Sequence, residues 1–489
     1  MNGVDRPAVH KVRHRSARWR LLSLVRTPLN GVVRELRVLS PTGILGYGFP
    51  EESLQLGLQR KPHVIAVDGG STDGGPYYLG IEPSLGGGNG QANAFNEMLS
   101  ADLPPLLLAA TQANIPLIIG SAGFAGADLH LAGTVGLVRQ IADAHDLHFK
   151  LGIIRAEVEK SYVQAKLAEG LVEPLGPAPE LTEAGIDDSV RVVAQMGVEP
   201  FVHALELGAQ VIVAGRANDP SMFAALAIKE GYDRGLALHM AKILECGAIA
   251  ADPGSGSDAL LGTLREDHFL LEPLNPERRC TVQSVAAHSL YEKSHPLKLF
   301  GPGGHVDLSD ARFEQVNDRT VRVSGSRYVE APRYQLKLEG VRRCGFRCIS
   351  VAGVRDPVAI REIDTLIAAA REAVDARYPD ANHRLEIRRY GKDGVMGALE
   401  PNREHVPLEL GLVIEVVADS QGLATSICGL ARSVMLHAGF PGRVSTAGNL
   451  ATPFSPLDIP AGPVYAFHIY HLVDEPDPMR LFPVDVMEV

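Results

Sequence analysis

One pattern recurs along the first half of this chain: a short apolar run, rich in β-branched residues, that breaks at once into glycine and polar side chains. Val64-Ile65-Ala66-Val67-Asp68 opens onto Gly69-Gly70-Ser71-Thr72-Asp73-Gly74. Leu117-Ile118-Ile119-Gly120 opens onto Ser121-Ala122-Gly123, with Asp128 and His130 shortly after. Residues 149–155 hand over to Glu157, Glu159 and Lys160, and Val211-Ile212-Val213-Ala214-Gly215 hands over to Arg216, Asn218 and Asp219. Apolar runs of this length bounded by turn signals read as buried strands. Glycine lets the backbone turn sharply and come close to a ligand, and Asp, Ser and Thr add charge and hydrogen-bonding groups. A single such loop is explained equally well as an ordinary turn with capping residues. Several in the same phase predict one shared site, because open α/β sheets bind ligands outside the carboxyl ends of their strands, where the strand order reverses.

Helix-length runs at 102–114, 129–144, 161–169 and 189–207 separate these strands. The alternation is that of an α/β fold with a doubly wound parallel sheet in the N-terminal half. The rhythm then changes. Strand-like runs at 320–326, 334–339 and 345–352 have short connections; a helix follows over 357–377, strands near 385–390 and 410–417, a helix near 421–437 and a last strand near 464–471. This second half is expected to be an α+β domain. The predicted organisation is a basic, disordered tail over 1–34, an α/β domain over 35–275, a connecting segment over 276–310 and the α+β domain over 311–489. The tail is set apart by Arg6, Lys11, Arg13, Arg15, Arg18, Arg20, Arg26 and Arg34 against the lone acid Asp5. A transit peptide, a polyanion-binding arm and a dispensable extension all fit that composition.

Composition narrows the classes of function. A formal charge of -11 argues against general nucleic-acid binding, which needs a basic footprint. No apolar run approaches the ~20 residues that span a bilayer. Five scattered cysteines, Cys246, Cys280, Cys344, Cys348 and Cys428, fit a reducing cytoplasm better than a disulfide framework.

The strings Leu39-Ser40-Pro41-Thr42-Gly43, Asp68-Gly69-Gly70-Ser71-Thr72-Asp73, Gly120-Ser121-Ala122-Gly123 and Ala214-Gly215-Arg216-Ala217-Asn218-Asp219 carry a resemblance. So do Tyr390-Gly391-Lys392-Asp393-Gly394-Val395-Met396-Gly397 and Thr446-Ala447-Gly448-Asn449-Leu450. In this order, from about residue 36 onward, they resemble the acyclic terpene utilisation family, named for a protein encoded with bacterial enzymes that degrade citronellol and geraniol. The family pattern more usually has Ala where Gly69 stands and Thr where Asn218 stands; neither departure removes a charged group. Longer members carry an extra small C-terminal domain that this chain lacks. Short members resemble parts of two-gene units, which implies a small partner subunit. The resemblance implies a catabolic setting and brings no catalytic assignment with it.

The residues themselves suggest acid–base chemistry. Asp68, Asp73, His130 and His239 are the candidate catalytic groups, since carboxyls and imidazoles can exchange protons near neutral pH. Ser71, Thr72, Ser121, Arg216, Asp219, Lys392 and Asn449 are the candidate substrate-binding groups. Arg216 could clamp a carboxylate through two parallel hydrogen bonds, or simply pair with Asp219. At about 100° per residue His239, Lys242 and Cys246 share a helix face, although a lysine at such a position more often sits on an exposed face. The glycine-flanked Lys392, with Glu400 on the same side, and Asn449 would close over the cleft, or serve only as turns. No nucleotide fingerprint appears, so NAD and ATP are not expected. Mg²⁺ or Mn²⁺ on the strand-end carboxylates stays open, without a ligand spacing to support it.

The expectation is a cytoplasmic catabolic enzyme, a lyase of the hydro-lyase type, acting on a small or branched hydroxy or unsaturated carboxylate or its CoA thioester. Two alternatives are a thioester or amide hydrolase and a non-catalytic ligand-binding subunit of a larger complex. The partners expected are the small-molecule substrate and further copies of the chain, with neither nucleic acid nor membrane.

Overall fold

In the computed structural model, residues 34–70, 74–81 and 90–489 are described, residues 90–96 by backbone alone. The expectations for the tail over 1–33 and for Ser71, Thr72 and Asp73 lie outside the described residues.

The β-branched runs form the strands their composition predicts. Leu36–Ser40, Val64–Asp68, Leu117–Gly120, Val211–Ala214 and Lys150–Ile154 lie side by side, all parallel, in that order. Successive side chains point to opposite faces. Leu39, Ile65, Ile119 and Val213 pack beneath the helices Gly90–Ala113 and Asp128–His145. Val38, Val64, Ile118 and Ile212 pack beneath Glu199–Glu206, Ser221–Lys229 and Arg234–Leu244. Both faces are covered, which is why these strands read as continuous apolar runs.

The complete sheet is mixed and has ten strands. Leu260–Leu264, His268–Pro273, Val321–Ser324 and Arg312–Gln315 extend it antiparallel beyond Leu36–Ser40. Val484–Glu488 pairs antiparallel with Lys150–Ile154 at the other edge. The parallel core agrees with expectation; the purely parallel sheet does not, because both of its edges are completed by antiparallel strands, partly from the second half of the chain. Such pairing occupies edge groups that would otherwise stay open. The long helix expected over 189–207 is also corrected: Arg191–Ala194 is a strand, and the helix begins only at Glu199. Val192 and Val193 favour the strand, Gly197 breaks the run, and Pro200 suits a helix's first turn.

A six-stranded sheet is built around the 20-residue strand Gln335–Val354. Asp458–Asp474 and Leu410–Ala418 flank it antiparallel, and His383–Tyr390 forms an edge. The helices Ile363–Arg377 and Gln421–His437 pack Leu366, Ala370, Ile427 and Ala431 onto this sheet. Near its start the long strand also pairs with Arg191–Ala194, bringing the second sheet against the loops of the first. Among the described residues no helix is long and apolar enough to cross a membrane.

Candidate functional site

The strands Leu117–Gly120 and Val211–Ala214 are neighbours, yet the helices that follow them cover opposite faces: Asp128–His145 one, Ser221–Lys229 the other. That reversal marks the topological switch point, beside which α/β sheets bind ligands outside their carboxyl ends. The loops around it are stitched together through their backbones. The Ser121 amide donates to Gly215 O (3.0 Å), the Arg216 amide to Gly126 O (3.0 Å) and the Phe124 amide to Gly69 O (3.0 Å). Two glycines are required by this closeness. A Cβ on Gly70 would lie 1.9 Å from Phe124 O, and one on Gly126, whose φ is +68°, would lie 2.2 Å from the Arg216 nitrogen.

Four of the predicted residues meet here. Arg216 is 3% exposed. Its Nε donates to Glu339 Oε2 (2.9 Å), and its Nη1 donates to Ser121 Oγ (3.1 Å), Ala217 O (3.1 Å) and Asp219 Oδ1 (3.3 Å). Ser121 Oγ also accepts from the Ala217 amide at 3.4 Å. Lys337 Nζ, 2.8 Å from Glu339 Oε1, and Gln195 Nε2 at 3.2 Å complete the network around Glu339. Burial pushes the Glu339 carboxyl up, but Arg216 and Lys337 more than reverse this and hold it down at about 2. Asp68, buried at the adjacent strand end, accepts from the Gly70 amide at 3.2 Å. Burial first, and then the Asp219 charge, hold its carboxyl well above the ordinary range against the pull of Arg216.

Helix Arg234–Leu244 brings a second set of charges to the Asp219 side. Lys242, which the sequence left open to an exposed face, is 2% exposed and pairs with Glu245. Burial together with Asp219 outweighs this cation and raises Glu245 to about 7. Burial, with Glu245 nearby, also pushes the Cys246 thiol up, away from the thiolate.

Beside these groups is a pocket lined by four basic residues, Arg234, Lys242, Lys293 and His305, and by no Asp or Glu among the described residues. Asn218, Pro220 and Ser221, which flank Asp219, form one wall; Leu238, Leu299 and Val306 supply apolar surface. Arg234 has its own counter-ion, Glu199 at 2.8 Å, and stacks on the Tyr328 ring at 4.4 Å. A cationic pocket in an acidic protein attracts anions and holds them more strongly than open solvent would.

The remaining predicted residues lie elsewhere. His239 is fully buried, with Nδ1 2.7 Å from Ser326 Oγ and Nε2 2.9 Å from Ser289 Oγ, and burial lowers it to about 3. It shares its helix with Lys242 but has no hydrogen bond to the strand-end groups. His130 is buried in the first turn of Asp128–His145; neither ring nitrogen has a hydrogen-bond partner among the described residues. Burial, helped by Arg191, lowers it to about 4.

Lys392 and Asn449 sit at the far end of the second sheet. Tyr390 pairs with Gly411 and Gly411 with Gly353, while Ala451 bridges to the same Gly353. Gly353 is 14 residues beyond Glu339 on one strand, roughly 45 Å at ~3.3 Å per residue. Lys392 borders an open recess there with Glu400 and Glu404. Asn449 closes a helix end: its Nδ2 donates to Met435 O and Ala438 O, both at 2.9 Å, and its Oδ1 accepts from Arg443 Nε at 2.8 Å. Sequence reasoning missed Glu339, Glu245 and Lys293. Among the described residues no group of three His, Cys, Asp or Glu side chains converges as a metal site.

A family model described as acyclic terpene utilisation family protein AtuA matches residues 85–255 and 270–453. No curated protein and no solved structure matches the chain.

Proposed function

The chain belongs to the acyclic terpene utilisation family, which suggests a role in terpene catabolism, and from that premise we propose that it is a hydro-lyase acting on a small or branched hydroxy or unsaturated carboxylate or its CoA thioester. The observation that carries this is the basic pocket, free of acidic lining among the described residues, beside the carboxyls of Asp219, Glu245 and Asp68. Lys242 and Lys293 would draw in the anionic group of the substrate, for which the pocket has about 30 Å³ of space. In this reading Asp219, whose neighbours Asn218 and Pro220 line the pocket and whose side chain is 41% exposed, would take a proton from the carbon next to the carbonyl. Glu245, poised at about 7, is suited to protonate the departing hydroxyl. Arg216 and Glu339 act as the rigid frame beneath, fixing Ser121 and Asp219.

Hydrolysis through a covalent acyl group has less support. Ser121 Oγ accepts hydrogen bonds from Arg216 and Ala217 without a described base beside it, and the Cys246 thiol is held in its protonated form.

The test is incubation of the protein in D₂O with branched 3-hydroxy carboxylates and their thioesters. The expected products are the unsaturated acid or thioester and deuterium at the adjacent carbon, with Asp219→Asn slower by about 100-fold or more. Release of the free acid from thioesters without any unsaturated product would overturn the proposal in favour of hydrolysis.

A further inference from the structure

Lys293 differs from the two other long-chain cations of the pocket, Lys242 and Arg234. Lys242 pairs with Glu245 and Arg234 with Glu199, whereas no described carboxylate lies within 4.0 Å of Lys293 Nζ. Its backbone is held in an unusual way. The preceding residue, Glu292, has φ +59°, a left-handed conformation that a non-glycine side chain seldom adopts. The turn is pinned on both sides: the Lys293 amide donates to Leu290 O at 3.2 Å, and Tyr291 stacks on His288 with ring centroids 5.2 Å apart. Lys242 Nζ lies over the same Tyr291 ring, 5.6 Å from its centroid. Backbone strain of this kind persists where the surroundings over-determine it and gathers at functional sites. Here it directs one amine into the pocket beside a second ammonium.

From this juxtaposition we propose that Lys293 is a catalytic residue that forms an imine with a ketone or aldehyde carbonyl of the substrate. The inference rests on the acid–base pocket proposed above and narrows the substrate to a 3-hydroxy ketone or aldehyde that also carries an anionic group. Burial outweighs the opposing charges of Glu245, Asp219 and Glu292 and, with the Lys242 charge, favours the neutral amine at Lys293. A desolvated lysine beside another cation is the established way to make an amine nucleophilic near neutral pH.

The steps balance as follows. The Nζ lone pair attacks the carbonyl carbon; the carbonyl oxygen takes one proton from the attacking nitrogen and one from solvent and leaves as water, giving a C=N⁺ iminium. Asp219 removes the proton from the adjacent carbon, and the electron pair flows into an enamine. The enamine expels the 3-hydroxyl, which leaves as water with a proton from Glu245. Water then adds to the unsaturated iminium and returns the free amine, the unsaturated carbonyl product and one proton to solvent, and exchange with solvent takes the proton from Asp219 and restores that of Glu245. The net change is the loss of one water, with no oxidant or reductant.

The test is trapping by sodium borohydride with acetoacetate as the carbonyl probe, followed by peptide mapping of the full-length protein by mass spectrometry. The expected result is one stable secondary-amine adduct on the peptide containing Lys293, absent without borohydride and lost in Lys293→Arg. An unmodified Lys293 in the folded wild-type protein, or labelling confined to other lysines, overturns the proposal without reference to any variant. The dehydration assay separates the two ideas. Dehydration of thioesters without an adduct leaves the hydro-lyase standing and removes the imine. An adduct at Lys293 without dehydration of any 3-hydroxy substrate does the reverse.

Discussion

The two ends of the long strand Gln335–Val354 carry glycine-rich, charged loops that look alike in sequence and differ in what surrounds them. At the Glu339 end the charges are buried, interlocked and shared between two sheets. At the Gly353 end Lys392 borders an open recess, and Val395 and Leu399 stand 87% and 79% exposed. The difference teaches that a glycine beside a charge marks a loop, whereas a site needs a second element to close over it. The strand ends have that element in the Arg234–Leu244 helix and the incoming second sheet.

The largest expected contrast between the two ends is in stability. Arg216→Ala leaves Glu339 buried without its main counter-ion and should cost about 3–5 kcal/mol, whereas Lys392→Ala should stay within about 0.5 kcal/mol. Urea denaturation midpoints measure both, and similar small losses would dissolve the contrast.

The next effect is on pH dependence. The raised Glu245 carboxyl binds its proton more tightly in the folded state, so its stabilising contribution is complete below 4.5 and is lost as pH rises through about 7. The same ionisation would remove the proton donor, so the rate should fall above about pH 7. Glu245→Gln should lose this limb of the rate profile, and an unchanged limb would exclude Glu245 as the donor. His239 has the opposite sign. Lowered from 6.5 to about 3, it leaves the unfolded chain the stronger proton binder, so stability is full above 6.5 and declines as pH falls. Melting temperatures of the wild type and His239→Gln between pH 7 and 4 should diverge in slope, the variant being flatter.

A smaller effect than that of Arg216→Ala belongs to the distal helix end. Asn449→Ala removes hydrogen bonds that close a helix terminus and should cost about 1–2 kcal/mol with turnover unchanged. Lost turnover in a folded Asn449→Ala protein would draw the distal end into the site.

What was legible follows from range. The parallel strands were readable because apolar β-branched runs, bounded by glycine, are local signals, and the convergence of Asp68, Ser121, Arg216 and Asp219 follows from their shared phase. Glu339 was not readable: with Gln335 and Lys337 it alternates like a solvent-facing strand edge, and its partner Arg216 is 123 positions away. Lys293 lies in a polar passage among Glu292, Ser294 and His295, where one more charge carries no local mark. Lys242 and Glu245 stand three residues apart, a spacing common on exposed helices, and only tertiary packing buries them. At Asn449 the glycine and small residues that suggested a ligand loop suit a helix end equally, and its side chain bonds to one. The short final strand Val484–Glu488 was overlooked although Val484 and Val486 alternate with Asp485.

The central claim is that the basic pocket beside the strand ends, and not the distal loops, is where substrate is turned over. Metabolite profiling of a terpene-grown culture extract, incubated with wild type, Asp219→Asn or Lys392→Ala, tests it most directly. The account predicts that wild type and Lys392→Ala consume the same hydroxy compound and yield its dehydrated product, while Asp219→Asn leaves it untouched. Turnover retained by Asp219→Asn and lost in a folded Lys392→Ala protein would contradict it.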